Sequence, residues 1–151
     1  VVIVQTFSKS RSMAGMRIGY AMANEKLIKY LNDVKYSFNS YTMNTTAIAL
    51  GVPAVKDREY FEKTVRKVIT TRERVKKELK ELGFVFEDSM SNFLFVTHKE
   101  LSMEKLFMDL RKEGIIVRHF DKPERIREYL RITIGTDEQM DTLIGFLKQY
   151  L

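Results

Sequence analysis

The sequence predicts an α/β segment followed by a smaller α+β unit with a mostly antiparallel sheet, the two being joined by one long helix. Short β-branched runs and helical patterns alternate in the first part, whereas the last part combines short strands with two amphipathic helices. Between them runs a pattern of apolar residues three and four apart, which is typical of a helix packed on one side. We therefore expect three regions, with bounds at 1–56, 57–83 and 84–151.

The first region opens with Val1–Gln5, a β-branched run that predicts a buried strand. Ser10–Gly15 predicts a turn, and Met16–Met22 predicts a second extended segment that begins near Arg17. Because the chain opens inside a predicted strand and lacks an initiator Met, we expect a fragment of a larger protein. The elements expected next are a helix near Asn24–Lys35, a loop at Ser37–Thr42 and a helix from about Met43.

The long helix has end signals at both termini. Asp57 can cap its start, because the carboxylate accepts a backbone N–H of the first turn, and Gly83 suits the left-handed position just past its end. The apolar stripe between them is interrupted only by Arg72. Its members are Phe61, Val65, Val68, Val75, Leu79 and Leu82.

The last region predicts an α+β unit with helices on a mostly antiparallel sheet. The charged stretch Phe120–Glu128, which contains Pro123, predicts a loop between two of its strands. The predicted elements are a strand from Phe84, strands at Asn92–Val96, Ile115–Phe120 and Tyr129–Ile134, and helices at Ser102–Glu113 and Asp137–Leu151.

The composition is that of an ordinary globular protein. Of the 151 residues, 44% are apolar and 30% are charged, and the net charge of +6 suits anionic ligands such as phosphates. The chain has no cysteine, which excludes disulfides and thiolate metal sites, and His98 and His119 are too few for a histidine metal site. Because no apolar run reaches the roughly 18 residues of a membrane span, we expect a cytoplasmic protein.

The most informative motif is Thr6-Phe7-Ser8-Lys9, followed by Arg17-Ile18-Gly19-Tyr20. The amine of Lys9 can bond a cofactor aldehyde, while the hydroxyls of Thr6 and Ser8 and the guanidinium of Arg17 can hold a cofactor phosphate. The alternative is a lysine in a surface loop, beside strand-end hydroxyls that bond their own backbone. The arginine motif at this spacing favours the binding site.

These residues resemble the lysine segment of the fold type I pyridoxal-phosphate-dependent aminotransferases. Later segments extend the resemblance and are most similar to the histidinol-phosphate aminotransferase branch of that family. They are Phe38–Ser40, Asp57–Phe61, Ser91–Val96, Gly114–Arg118 and Tyr129–Thr136. The resemblance covers the whole chain. It implies that 1–56 ends the large cofactor domain, 57–83 is the linking helix and 84–151 is the small domain of such an enzyme.

The resemblance also implies an activity. Pyridoxal 5'-phosphate would be the cofactor, Lys9 the catalytic lysine, and Thr6, Ser8 and Arg17 the residues that bind the cofactor. The reaction would be amino transfer between glutamate and a keto acceptor, most similar to the histidinol phosphate and imidazole acetol phosphate pair of histidine biosynthesis, in a homodimer. In the family, further cofactor contacts come from sequence that precedes the lysine segment, so we expect little or no activity from this chain alone.

Two arginines are candidate substrate ligands. Arg131 lies in the apolar strand Tyr129–Ile134, where a bare charge is costly and must meet a partner or a ligand. The resemblance implies that Arg131 binds the substrate α-carboxylate and that Arg118 lies near the far end of the substrate, at its phosphate. The alternative is that both side chains face solvent at alternate positions of a sheet. The roles of Asn39 and Asn92 stay open.

Two other functions are compatible with the sequence. The same scaffold and cofactor serve other aminotransferases and phospho-amino-acid decarboxylases, because a fold does not fix a reaction. A non-catalytic basic binding module is the second alternative, since the long helix carries many basic residues. Glutamates are interleaved with them, which favours a solvated helix face over a nucleic-acid site, and we expect neither a nucleic-acid nor a membrane partner.

Overall fold

The computed structural model describes residues 1–151, which divide into two compact units, Val1–Val65 and Arg66–Leu151. None of the helices combines the length and the apolar character needed to cross a membrane. The strands are β1 (Ile3–Thr6), β2 (Gly19–Met22), β3 (Phe84–Val85), β4 (Phe93–His98), β5 (Arg118–His119) and β6 (Leu130–Thr133). The α-helices are α1 (Phe7–Ser10), α2 (Glu25–Phe38), α3 (Thr45–Lys56), α4 (Arg58–Glu81), α5 (Met103–Lys112) and α6 (Asp137–Tyr150).

The first unit is built on an antiparallel hairpin of β1 and β2, in which Ile3 pairs with Met22 and Thr6 pairs with Gly19. The expectation of a buried first strand is wrong for this chain, because β1 is exposed along its whole length. A sheet of two strands cannot cover both of its own faces. The small core of this unit lies beyond the end of β1 and consists of Phe7, Ile18 and Ala47, with Met13 and Met16 packed against it.

The second strand begins later than the sequence indicated. Residues Ala14–Met16 form a 3₁₀ turn, and Arg17 follows in the left-handed region with φ 55° and ψ 39°. Arg17 therefore precedes β2 instead of starting it, since a left-handed residue cannot continue a strand. The helices that follow are capped by Asn24 and Asn44, whose side-chain oxygens accept the backbone N–H groups of Leu27 and Ala47.

Helix α4 begins and ends where its signals predicted. The Asp57 carboxylate accepts the backbone N–H of Tyr60 at 3.1 Å, and Gly83 follows the helix with φ +81°. Arg72, which interrupts the apolar stripe, is nevertheless buried. Its Nη1 donates to the Ser91 carbonyl oxygen at 3.0 Å and its Nε to the Glu73 carboxylate at 2.9 Å. The guanidinium can be buried there because these acceptors replace its water.

The second unit is the predicted α+β arrangement. Its strands form an antiparallel sheet in the order β3-β4-β6-β5. One face of the sheet packs against helices and forms a continuous apolar core. The fully or almost fully buried members of this core are Val75, Leu79, Phe84, Leu94, Val96, Met103, Leu106, Leu110, Leu130, Ile132, Met140, Leu143, Ile144 and Leu147. The strand expected at Ile115–Phe120 is shorter than predicted and pairs only at Arg118–His119.

Gly83 offers a test of this fold. A Cβ at this position would lie 2.8 Å from Nε2 of His98 and on a backbone with positive φ. We expect Gly83→Ala to lower the free energy of unfolding of the chain by about 1–3 kcal/mol, the cost of a non-glycine residue in this region. Urea denaturation measures the change.

Gly145→Ala is the matched control. Gly145 lies inside α6 and a Cβ there would meet nothing within 4 Å. Because glycine weakens a helix interior, we expect the free energy of unfolding of this variant to exceed that of the parent by about 0.5–1 kcal/mol. Equal stability of the Gly83→Ala variant and the parent would show that the left-handed end of α4 does not constrain the fold.

Candidate functional site

Thr6, Ser8, Lys9 and Arg17, here called the lysine cluster, are brought together by the hairpin. Thr6 pairs with Gly19, and the backbone N–H of Phe7 donates to the Ile18 carbonyl oxygen at 3.0 Å. Ser8 and Lys9 therefore lie just beyond the end of β1, and Arg17 lies just before the start of β2. The motif's two halves, separate in sequence, therefore meet at the end of the β1–β2 ladder.

Lys9 lies in α1, a single helical turn directly after β1, and its side chain is exposed. Phe7, the first residue of this turn, is buried and anchors it. Its ring meets the ring of Tyr20 edge-on, with 6.1 Å between the centroids. Packing of Phe7 leaves the amine of Lys9 on the accessible side of the turn. The lysine is thus free to react with a ligand.

The two hydroxyls of the lysine cluster are not used as helix caps. The Thr6 hydroxyl makes no capping bond to α1, and the local bond to the Thr6 carbonyl oxygen, at 3.2 Å, comes from the hydroxyl of Ser10. A hydroxyl that bonds the local backbone was the alternative to a binding role. Ser10 makes such a bond, whereas Thr6 and Ser8 do not. Both candidate hydroxyls remain available to an incoming anion.

Arg17 is held in a strained backbone conformation. A left-handed arginine costs about 1–2 kcal/mol relative to a right-handed one, and such strain is concentrated at functional sites. Its Nη1 donates to the carbonyl oxygen of Ala14 at 2.9 Å, which fixes the direction of the side chain, while the rest of the exposed guanidinium keeps its donors. Its position at the same end of the hairpin as Ser8 suits a shared phosphate.

Arg11 lies in the turn after Lys9 but is not a solvated residue. The side chain is half-buried, its Nη1 donates to the Ala54 carbonyl oxygen near the end of α3, and its Cζ lies 3.9 Å from the centroid of the Phe61 ring. Arg11 therefore ties the turn after Lys9 to the helices of the same unit. A planar guanidinium can stack on a ring and donate from its edge at once, which a lysine cannot do.

A second group of candidate residues lies in the second unit, on the sheet. Arg118 of β5 and Arg131 of β6 are directly paired in the antiparallel register, and Phe95 of β4 pairs with Arg131 on its other side. Directly paired residues project from the same face of a sheet. Arg118 and Arg131, here called the arginine pair, thus place two positive charges side by side, an arrangement that is destabilising unless an anion joins it.

Arg131 carries the clearer sign of a binding role. Its side chain is half-buried and its Nε atom is buried without a hydrogen-bond partner. A buried donor without an acceptor costs about 1–3 kcal/mol, and in native proteins such a group marks strain, a functional role, or a bound water or ion. The alternative of a solvent-facing arginine fits Arg118, which is exposed, better than Arg131.

Asn39 and Asn92 have local roles in the chain. The Asn39 side-chain oxygen accepts the backbone N–H of Tyr41 at 3.2 Å, just after α2. The Asn92 carbonyl oxygen accepts the backbone N–H of Ile134 at 2.9 Å and so extends the pairing of β4 with β6. No three His, Cys, Asp or Glu side chains of the described residues 1–151 come together as metal ligands.

The comparisons with known proteins identify the family. The model of the family described as aminotransferase class I and II matches residues 1–147. The chain belongs to this family. The histidinol-phosphate aminotransferase of Brachyspira hyodysenteriae is 53% identical over 148 residues, which are 98% of this chain and 42% of that protein. The enzyme of that name from Lactococcus lactis subsp. cremoris is 51% identical over 151 residues, 100% of this chain and 42% of that protein.

Solved structures confirm the predicted fold class. The histidinol-phosphate aminotransferase of Clostridium acetobutylicum superposes with a TM-score of 0.81 at 26% identity, covering 99% of this chain and 45% of that one. A decarboxylase from Sulfurospirillum multivorans superposes with a TM-score of 0.80 at 25% identity, covering 100% of this chain and 44% of that one. The chain thus has the fold of the type I aminotransferases and spans about two fifths of the length of its curated relatives.

Aromatic rings surround the arginine pair and were not predicted from the sequence. The Arg131 guanidinium carbon lies 5.5 Å from the centroid of the Phe93 ring and 5.9 Å from that of Phe120, and Arg118 lies 5.2 Å from the same Phe120 ring. Phe120 is two residues beyond Arg118, a spacing that returns a side chain to the same face of an extended segment. The spacing of two residues between Arg118 and Phe120 is the sequence signal from which this contact could have been predicted.

An ionic network between a buried lysine and two exposed carboxylates holds the loop that leads into β4. The Lys76 ammonium is buried in α4 and donates to Asp88 at 2.6 Å and to Glu73 at 2.9 Å. The hydrogen bond between Lys76 and Asp88 lowers the pKa of the Asp88 carboxyl and raises the pKa of the Lys76 ammonium. Together with the bond from Arg72 to the Ser91 carbonyl oxygen, this contact fixes where β4, and hence Phe93, begins.

Proposed function

We propose that this chain is part of a pyridoxal-phosphate-dependent aminotransferase that transfers an amino group between glutamate and imidazole acetol phosphate, forming histidinol phosphate for histidine biosynthesis. The observation that carries the proposal is the arginine pair, in which two cations face each other across a strand pair and Arg131 keeps a buried donor without an acceptor. The high identity to enzymes named histidinol-phosphate aminotransferase supports the choice of substrate.

The lysine cluster fits the cofactor. Arg17, whose guanidinium is oriented by the Ala14 carbonyl oxygen, and the uncapped hydroxyls of Thr6 and Ser8 would hold its phosphate, and the accessible amine of Lys9 would bind its aldehyde carbon. When bound, pyridoxal phosphate supplies an electron-withdrawing ring that stabilises negative charge on the carbon bearing the amino group.

The residues of the lysine cluster would have two separate roles, holding the cofactor and moving a proton. Thr6, Ser8 and Arg17 hold the cofactor at one end, so that the position of Lys9 relative to it is set by a single helical turn. The Nζ atom of Lys9 would take the proton from the substrate carbon that bears the amino group and would deliver it to the cofactor carbon that takes over that amino group. A positioned amine can serve both as nucleophile and as base, which is why one lysine is sufficient.

The arginine pair binds the anionic ends of the substrates. Glutamate carries an α-carboxylate, whereas histidinol phosphate is an alcohol ester and carries a phosphate in its place. The resemblance implied only a carboxylate for Arg131, and the chemistry of the two substrates requires that it accept both anions in turn. A carboxylate has two oxygens and fits one guanidinium fork, while a phosphate has enough oxygens to engage Arg118 as well.

A decarboxylase is the second candidate. The similarity to the Sulfurospirillum multivorans decarboxylase supports it, because a phospho-amino acid would also bring a carboxylate and a phosphate to the arginine pair. The two reactions differ in what leaves the substrate: a decarboxylase releases carbon dioxide, and an aminotransferase releases none. The relative identities favour the aminotransferase.

The proposal includes the context of the chain. Residues 1–56 would end the large cofactor domain, 57–83 would link the domains and 84–151 would form the small domain, in a cytoplasmic homodimer. The first unit exposes several large apolar side chains, among them Phe38 at 91% and Tyr41 at 92%, which supports an additional covering surface in the intact protein.

An assay of the full-length protein that contains this chain tests the proposal. Supplied with histidinol phosphate and 2-oxoglutarate, it should form one glutamate for each histidinol phosphate consumed and release no carbon dioxide. Phosphoserine and phosphothreonine, labelled in the carboxylate, serve as the competing substrates. Release of labelled carbon dioxide, without amino transfer from histidinol phosphate, would establish the decarboxylase instead.

A further inference from the structure

One face of the sheet in the second unit is apolar core, and the opposite face is aromatic and cationic. Because Arg118, Arg131 and Phe95 are paired across three strands, they share the second face, and the next residue but one on each strand shares it too. The members of this face around the arginine pair are Phe93, Phe95, Arg118, Phe120, Tyr129 and Arg131.

Phe120 is the one residue of this face whose ring meets both guanidiniums. The guanidinium carbons of Arg118 and Arg131 lie 5.2 and 5.9 Å from the centroid of its ring. The ring is itself held by Phe95, edge-on at 6.2 Å, and Phe95 is stacked on Tyr129 at 4.7 Å with an interplanar angle of 10°. Three rings in contact therefore fix Phe120 between the two cations.

The acidic side chains near the arginine pair are engaged elsewhere. Asp121 lies 3.5 Å from Nδ1 of His119, on the other side of the strand, and the Glu128 carboxylate accepts the backbone N–H of Met103. A carboxylate placed on the arginine pair would compensate the charges but would compete with an anionic substrate. An aromatic ring attracts cations through its quadrupole and leaves their N–H donors open.

We propose that Phe120 is a positioning residue that holds the guanidiniums of Arg118 and Arg131 side by side for one anionic ligand. The inference rests on the proposed function, in which the arginine pair binds the phosphate and the carboxylate of the substrates. Without the ring, mutual repulsion separates the two cations and an anion must draw them together again at the expense of its affinity.

The experiment uses the 151-residue chain labelled with ¹⁵N and follows the side-chain Nε–H signals of Arg118 and Arg131 during titration with inorganic phosphate and with glutamate. Phe120→Leu keeps an apolar side chain but removes the ring, and Phe120→Tyr keeps the ring. Phe107→Leu is the matched control, because Phe107 stacks on His119 at 5.6 Å and makes no cation contact with the arginine pair.

We expect Phe120→Leu to raise the Kd for phosphate about three- to tenfold, the range of a partly desolvated cation–π contact. It should also remove the ring-current shift of the Arg118 Nε–H signal, whereas Phe120→Tyr restores affinity and shift, and Phe107→Leu changes neither. The positioning role is overturned if Phe120→Leu binds phosphate as tightly as the parent, or if Phe120→Tyr is impaired to the same degree.

Two further variants separate this inference from the proposed function. Arg131→Gln and Arg118→Gln should each weaken phosphate binding in the same titration. If they do and Phe120→Leu does not, only the role of Phe120 fails. If neither arginine variant weakens binding, or the parent chain does not bind phosphate, the arginine pair is not the anion site and the role of Phe120 fails with it.

Discussion

Replacing Lys9 by alanine should abolish amino transfer in the full-length enzyme that contains this chain. The amine would be lost both as the group that binds the cofactor and as the group that moves the proton, so the rate should fall by more than the about 10²–10⁴-fold typical of positioned proton transfer alone. Because Lys9 is exposed and lies on a turn anchored by Phe7, the fold should be unaffected. Single-turnover absorbance of each half-reaction measures the loss.

Lys99→Ala is the matched control for this prediction. Lys99 is also an exposed lysine, just after β4, and has no place in the proposed chemistry. Its replacement should leave both half-reactions unchanged. A Lys9→Ala enzyme that turns over within about tenfold of the parent would be incompatible with a covalent role for this lysine.

Arg131→Lys should impair both half-reactions, because glutamate and the phosphorylated substrate use the same guanidinium. An ammonium keeps the charge but cannot offer two parallel N–H donors, and its shorter reach leaves a buried donor position empty. Loss of one buried charged hydrogen-bond pair costs about 2–5 kcal/mol in comparable sites. The measurement is the substrate dependence of each half-reaction, taken separately in the full-length enzyme.

Arg118→Lys supplies the contrast. Arg118 is exposed and is needed only where a phosphate is large enough to engage both members of the arginine pair. This variant should therefore bind the phosphorylated substrate more weakly and bind glutamate as tightly as the parent does. Unchanged glutamate binding by Arg131→Lys would remove Arg131 from the carboxylate role and leave it as a strand residue with an unexplained buried donor.

The fold was predictable where its signals are local. The carboxylate of Asp57 and the positive φ of Gly83 define the ends of α4, and alternating apolar residues define the strands that cover the core. Element ends depend on backbone choices that composition does not encode, and this is why β2 begins after a left-handed Arg17 instead of at Met16.

The environment of the charged residues was less predictable than their presence. Arg11 lies in a turn and Arg72 interrupts an apolar stripe, yet each is buried or half-buried because a distant carbonyl oxygen, of Ala54 or Ser91, accepts a hydrogen bond from its guanidinium. Such partners lie 43 and 19 residues away along the chain. Pairing of Arg118 with Arg131, and the ring of Phe120 between them, likewise depends on strand register, which only the folded chain defines.

Reductive labelling tests the central claim most directly. Borohydride treatment of the full-length protein loaded with pyridoxal phosphate fixes a pyridoxyl group on the lysine that holds the cofactor, and peptide mapping by mass spectrometry identifies that residue. We expect the label on Lys9, directly after Thr6-Phe7-Ser8, and its loss in the Lys9→Ala enzyme. A stoichiometric label on any other lysine, with Lys9 unmodified, would contradict it.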